Sequence, residues 1–322
     1  WQRRWLDDAL ISSQLAYWRA QLEGAPRAID LPTDRIRPPV RSSRGERKTV
    51  FIPPPLLAGL HELGRREGVT LFMTLLAALD VVLYRYTGQG DIVVGSPIAG
   101  RTRAETEELI GFFLNTLVLR VSLSDELTFE DLLRRVKEVC LGAYAHQDMP
   151  FERLVQELAP ERDMSRSPLF QGMFTLQNTP GASVKLPDLR LHGLSAESAT
   201  AKFDLSLTLS DAPDGMLGSL VYCSDLFEAA TIERMAAHFQ TLLLRLAESP
   251  ERPLKQVSLL SDEEKQQILG AWNATEVAYP KETRLHELFE AQARKTPEAT
   301  AVTFEGKSLS YRGLDEQANR LA

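Results

Sequence analysis

The segment His146-Gln147-Asp148-Met149-Pro150-Phe151-Glu152 gathers an imidazole and two carboxyls within seven residues at the start of a helical pattern. One reading makes His146 a general base oriented by Asp148. The other has Asp148 complementing the first turn of the helix that Pro150 opens, with His146 and Gln147 satisfying loop backbone groups. Chemistry alone favours the second. Asn115, which follows the glycine-aromatic run Ile110–Leu114, carries two readings of equal weight: it lines a site, or it satisfies backbone at a strand start. Arg162 and Arg166 in RDMSRSPLF (162–170) could hold an anion, but a solvated turn around the Ser-Pro step is the simpler account.

Other chemical signatures fail. Ser96 sits in VGSPIAG, and a nucleophile elbow needs glycine where Val94 stands. Gly306-Lys307-Ser308 resembles the end of a phosphate loop, yet Ala301 occupies the place of its first glycine. Residues 305–307 read instead as the turn of a hairpin joining AVTF to SLSY. The five histidines show no metal-ligand spacing, so no metal is expected. His61, His238 and His286 fall on helices and His192 on a strand, as ordinary residues.

The elements that must position these groups follow from periodicity. Trp1, Trp5, Ile11, Leu15 and Trp18 recur at helical intervals, and residues 24–46 form a long proline-rich extended connection. RKTVFI (47–52) is a strand, and the prolines at 53–55 open the next helix. Thr70 is the expected N-cap for residues 71–88, whose apolar residues nearly encircle the helix, so burial is expected. A buried strand spans 91–101 and ends in a Ser-Pro and glycine turn. A short acidic helix (104–111), a strand (115–123) and an amphipathic helix (128–146) follow. Beyond the helix opened by Pro150, strands at 169–178, 189–196, 203–211 and 215–225 precede a long helix at 229–249. Strands interleaved with helices, some antiparallel by their short turns, indicate an α/β or α+β sandwich. Residues 250–280 read as a connector with one short helix, after which a separate pattern begins at Arg284.

Composition bounds the classes. Of 322 residues, 43% are hydrophobic and 25% charged, enough for a sizeable core and against wholesale disorder. Lys and Arg number 37 against 44 Asp and Glu, a net charge of −7. That balance argues against nucleic acid as the main partner. Only Cys140 and Cys223 occur, so no disulfide framework is available, and a reduced, cytoplasmic protein is expected. No apolar run reaches the length of a membrane span. Both ends stop inside helical patterns, which leads us to expect a piece of a longer chain.

Five strings then stand together in order: WQRRWL, GSPIAGR, IGFFLNTLVLR, HQDMPFERLV and SRSPLFQGMFTLQN. This order resembles that of condensation domains of non-ribosomal peptide synthetases. The closing TPEATAVTFEGKSLSYRGLDEQANRLA is similar to the opening of an adenylation domain. The resemblance covers nearly the whole chain.

It implies a chloramphenicol-acetyltransferase-like α/β fold, in which two lobes form a V around a tunnel. Carrier domains deliver phosphopantetheine-tethered substrates from opposite faces, and the acceptor amine attacks the donor thioester. No metal, directly bound cofactor or covalent enzyme intermediate is implied. The family's catalytic signature, HHxxxDG, lies in the lobe preceding the Trp-Gln motif, and this sequence has no adjacent His-His pair. The resemblance therefore implies a second lobe at 1–260, an interdomain linker at 261–282 and a truncated adenylation start at 283–322. Trp1, Ser96, Gly111 and Asn115 would lie near the tunnel. Arg101, His146, Asp148 and Arg166 would be structural supports at the lobe interface, and none is the general base. Implied partners are the upstream donor and downstream acceptor carrier domains, the missing N-terminal lobe and the rest of the adenylation domain, with neither nucleic acid nor membrane. Leu117 and TLQN (175–178) look more like domains taking an L-configured donor. A carrier-docking scaffold, or a heterocyclisation or epimerisation relative of the same fold, is the alternative. Loss of one lobe should bare an apolar face and promote association.

Overall fold

Side-chain caps set where several helices begin. In a computed structural model that describes residues 6–101, 104–107, 109–159, 163–177, 200–278 and 283–322, helix α1 (Asp8–Leu22) starts where the Asp7 carboxylate accepts from Leu10 N at 2.8 Å. Strand β1 (Gly45–Ile52) leads into α2 (Pro54–Glu67), whose first-turn prolines lack only amides that a helix start leaves unpaired. Thr70 caps α3 (Leu71–Thr87), accepting from Met73 N at 3.3 Å. Every residue from Met73 to Leu83 is buried, as an apolar surface on all sides requires. Strand β2 (Asp91–Ile98), the short α4 (Ala104–Glu107) and β3 (Asn115–Ser122) follow. Thr128 and Asp131 exchange bonds in a capping box at the head of α5 (Phe129–Ala145). Then come α6 (Phe151–Leu158), β4 (Gly172–Gln177), β5 (Leu205–Ala212), β6 (Gly215–Cys223) and α7 (Ala229–Glu248).

The six strands form one sheet in the order β1-β6-β5-β4-β2-β3. The pairs β2–β4 and β4–β5 are parallel and the others antiparallel. Helices α5 and α7 both pack on α3, and α7, α3 and α5 pack on β1, β2 and β3 respectively, giving a layered α/β sandwich. Its core runs from Ile52 and Leu60 through α3 to Phe129, Phe174 and Leu242. Among the described residues no single helix is long and apolar enough to cross a membrane; α2 and α3 reach that length together only across a 104° bend.

Three boundaries depart from the sequence reading for physical reasons. Strand β2 does not turn at Ser96-Pro97; it continues to Ile98, with Pro97 opposite Thr116. Strand β4 pairs with β2 only at Val94 and Gly95, so the proline falls where one neighbour is absent. The acidic helix is shorter than expected, with Glu107 its last residue and no helix at 109–111. Strand β4 starts three residues later than expected. There Leu169 takes a positive φ of 66°, and Phe170 N donates to Pro168 O at 2.9 Å, a three-residue turn. The strand expected at 189–196 lies outside the described residues.

The chain divides into two compact units, Trp1–Glu264 and Lys265–Ala322. Helix α8 (Asp262–Leu269) spans that division. The second unit holds α9 (Leu285–Lys295), a hairpin of β7 (Thr300–Phe304) and β8 (Lys307–Ser310), and α10 (Tyr311–Leu321). The hairpin turn is Glu305-Gly306 with φ of 45° and 76°, the left-handed pair that a two-residue hairpin turn requires. Among its described residues Ala293 is the one buried apolar side chain, so its core is slight.

Candidate functional site

The His146–Glu152 elbow joins α5 to α6, and the side chains of His146 and Gln147 are spent on helix carbonyls. The neutral amide of Asn115, at the start of β3, donates to Gln147 O and Met149 O at 2.8 Å each. Its Oδ1 accepts from Phe151 N at 3.0 Å. The N-cap residue of α6 is Pro150, which has no side-chain cap, so Asn115 caps that helix from across the sheet. Of the two readings open to Asn115, the backbone role is the one its hydrogen bonds fill.

His146 is fixed in the same way. Its Nδ1 donates to Gly142 O at 2.8 Å, and its ring stacks on Tyr17 with centroids 3.9 Å apart and planes 3° from parallel. Trp18, buried in α1, donates from Nε1 to His146 O at 3.0 Å. Gln147 Nε2 donates to Tyr144 O at 2.7 Å. The hydrogen bond that orients the imidazole thus comes from a helix carbonyl. Asp148 is half-buried within the elbow. Burial pushes the Tyr144 phenol up to about 12 and raises that of Tyr17, so both stay protonated at neutral pH.

The described residues of 96–114 are arranged differently. Ser96 is 3% exposed and pairs with Leu117, so its hydroxyl belongs to the packed strand. Gly95 beside it is required by contact: a Cβ there would sit 2.2 Å from the Phe170 ring. Arg101 curls back on its own loop, donating to Thr106 O and, at 3.3 Å, to Glu107 O. Its guanidinium lies 4.3 Å from the Phe113 ring centroid. Gly100 has φ 64°, and a Cβ there would meet Phe113 O at 1.9 Å, so only glycine closes this loop. Gly111 is exposed, between Ile110, which is wholly exposed, and Phe112, which is 85% exposed. Trp1 lies outside the described residues, as does Arg162.

Arginines lock the remaining loops. Arg37 makes a two-pronged bond to Asp204 at 3.1 and 2.5 Å and also donates to Ser165 O at 3.2 Å. Arg120 does the same for Asp91 at 3.3 and 2.9 Å, holding that carboxyl below the usual range, and reaches Gln21 O and Glu23 O at the end of α1. Arg166 stands 3.8 Å from Asp30, and its Nη1 is buried without a hydrogen-bond partner. A cleft of about 1350 Å³ opens between the end of α1, the end of α6, Val93 and residues 163–169. Of the described residues singled out from sequence, Arg166 alone borders it.

The geometry therefore brings Asn115 together with His146–Phe151, while Ser96 pairs with Leu117, Arg101 engages residues 106, 107 and 113, and Arg166 faces Asp30. Sequence reasoning missed Tyr17, Trp18, Arg37 and Asp204. Their partners lie more than 120 residues away in the chain, and local spacing carries no trace of such pairs.

Residues 1–269 match the family model described as Condensation domain. One of the linear gramicidin synthase proteins of Brevibacillus parabrevis is 49% identical over the whole of this chain, which spans 4% of that protein. The X-domain from teicoplanin biosynthesis is 30% identical with a TM-score of 0.75, covering 81% of this chain and 61% of that one. A four-domain nonribosomal peptide synthetase bound to AMP and glycine superposes with a TM-score of 0.82 at 23% identity, over 98% of this chain and 25% of that one. The α/β sandwich is accordingly of the chloramphenicol-acetyltransferase-like type expected from the sequence.

Proposed function

The chain belongs to the condensation-domain family, and from that premise we propose that residues 1–260 are the C-terminal lobe of such a domain in a non-ribosomal peptide synthetase. Residues 261–282 are then the linker, and 283–322 open an adenylation domain. The reaction joins an acceptor amine to a donor acyl or peptidyl thioester, both carried on phosphopantetheine arms of upstream and downstream carrier domains. The amine nitrogen attacks the thioester carbonyl carbon, the C–N bond forms, the C–S bond breaks, and the thiol leaves with the amine's proton. Enzymes of this kind gain most from holding two reactants in line and from stabilising the tetrahedral species.

In this reading Trp1, Ser96, Gly111 and Asn115 are candidates to lie near the tunnel. Arg101, His146, Asp148 and Arg166 support the lobe interface, and the proton-handling residues come from the lobe bearing HHxxxDG. An L-configured donor is the favoured substrate class. The observation that carries the reading is 49% identity along the entire chain to one stretch of a far longer gramicidin synthase protein. Consistent with it, His146 is committed to a helix carbonyl and Asn115 to three backbone groups.

The test is an assay with donor and acceptor carrier thioesters. This chain alone should give no amide above background, and the chain joined to a lobe bearing the His-His-Asp signature should give amide. Robust turnover by the chain alone, or none by the joined protein, contradicts the reading. Exposed Ile110 and Phe112 favour, as a second reading, a lobe that docks a partner without doing chemistry. That reading predicts measurable association with a loaded carrier domain, and a flat titration at high micromolar concentration counts against it.

A further inference from the structure

A chain of titratable groups, remote from the residues discussed so far, crosses three helices where the first unit ends. His238 of α7 is 9% exposed. Its Nδ1 lies 2.7 Å from Tyr86 Oη of α3, and its Nε2 lies 3.1 Å from Glu264 Oε1 of α8. Glu264 also caps its own helix: Oε2 accepts from Ser261 N at 2.8 Å, while Ser261 Oγ accepts from Glu264 N at 3.1 Å. The Ser261 amide, and then the imidazole, hold the Glu264 carboxyl below the usual range. Burial pushes the Tyr86 phenol up to about 12, so it keeps its proton.

These roles fix the hydrogen positions. With the imidazole neutral, Tyr86 donates to Nδ1 and Nε2–H donates to the carboxylate. After proton uptake both ring nitrogens donate, and Tyr86 becomes the acceptor. The chain is unbroken in both states, but only in the second is it an ion pair.

The same stretch is tied down at other points. Arg85, next to Tyr86, donates to Leu254 O at 3.0 Å and Val257 O at 2.9 Å. Arg245, seven residues beyond His238 on α7, donates to Ser258 O at 2.8 Å and reaches Asp262 Oδ1 at 3.4 Å. Arg234, one turn before His238, is the other charge near Tyr86, and it donates to Thr231 Oγ1 at 2.9 Å. The arginine bonds do not change near neutrality, because guanidinium stays charged. Of the groups facing this junction, the imidazole is the type whose charge changes there.

The geometry points to Tyr86, His238 and Glu264 as a proton-dependent clasp that grips the first turn of α8, the last residues before the chain passes into its second unit. The grip is hydrogen-bonded with the imidazole neutral and ionic with it protonated. It is lost when Glu264 itself protonates in acid.

Hydrogen exchange on the full chain tests this. After correction for intrinsic rates, the amides of Ser261–Glu264 should be about threefold more protected near pH 6 than near pH 8, the scale of a partly exposed ion pair. Glu264→Gln keeps one of the two acceptor oxygens and removes the charge, and should flatten that pH dependence. His238→Gln should do the same, while Leu242 and Leu243 stay protected throughout as controls for folding. A wild-type chain without pH dependence, or an unchanged dependence in Glu264→Gln, overturns the clasp.

Discussion

The segments on either side of β3 treat their side chains in opposite ways. After the sheet, the elbow at 146–151 is rich in polar residues, and Asn115, Trp18, Tyr17 and Gly142 hold its backbone and imidazole by hydrogen bonds and ring stacking. Before the sheet, residues 109–114 are largely apolar and face solvent, with Phe112 85% exposed. Polar residues so fully engaged serve the fold, because a buried unpaired group would cost about 1–3 kcal/mol. Adjoining apolar side chains left in water are the signature of a surface that something else covers. A motif rich in histidine and carboxylate can thus be scaffold, while the glycine-aromatic run at 109–114 leaves most of its apolar side chains exposed.

The sharpest way to break this contrast is to remove the elbow's supports. Trp18→Ala deletes a buried ring and the hydrogen bond to His146 O, and should cost about 3–5 kcal/mol in urea unfolding. Asn115→Ala removes three bonds to backbone, two donated and one accepted, for about 2–4 kcal/mol. A loss under about 0.5 kcal/mol in Asn115→Ala, within the noise of surface substitutions, would mean that the elbow holds itself.

Beneath the elbow, pH probes the helices that carry it. Asp80 of α3 is 1% exposed, its Oδ2 has no partner, and burial holds its carboxyl well above the usual carboxylate range. Burial first, and Asp80 second, push the Cys140 thiol of α5 up to about 12. The unfolded chain ionises Asp80 from about pH 4, whereas the folded chain holds that proton to higher pH, so unfolding in between releases a proton. Its contribution to stability is therefore full in acid and is lost as pH rises. Unfolding midpoints should fall more from about pH 5 to about pH 8 in wild type than in Asp80→Asn, which is neutral throughout. Parallel curves would contradict a neutral Asp80.

The smallest effect belongs to the other side of the comparison. The pair Ile110→Ser and Phe112→Ser should leave stability within about 0.5 kcal/mol, since neither side chain is buried. The same pair should reduce self-association in light scattering. A clear loss of stability would show that the run packs in solution.

What was legible in the sequence was local. Thr70 announces its helix because a cap is read within three residues. The Glu305-Gly306 turn announces its hairpin for the same reason. Asn115 was visible at the strand start, but its partners at 147, 149 and 151 were not, since they meet it only through the β3–α5–α6 arrangement. His238 read as an ordinary helical residue, yet Tyr86 and Glu264 converge on it from 152 and 26 residues away. Pro97 misled because its tolerance within β2 depends on where β4 stops pairing.

The central claim is that the motif's histidine holds backbone and transfers no proton. In a complete synthetase module carrying His146→Gln, turnover per folded molecule and the urea midpoint should be measured together. The account predicts a lowered midpoint with turnover per folded molecule unchanged. An unmoved midpoint with turnover reduced tenfold or more, the scale of a lost general base, would contradict it.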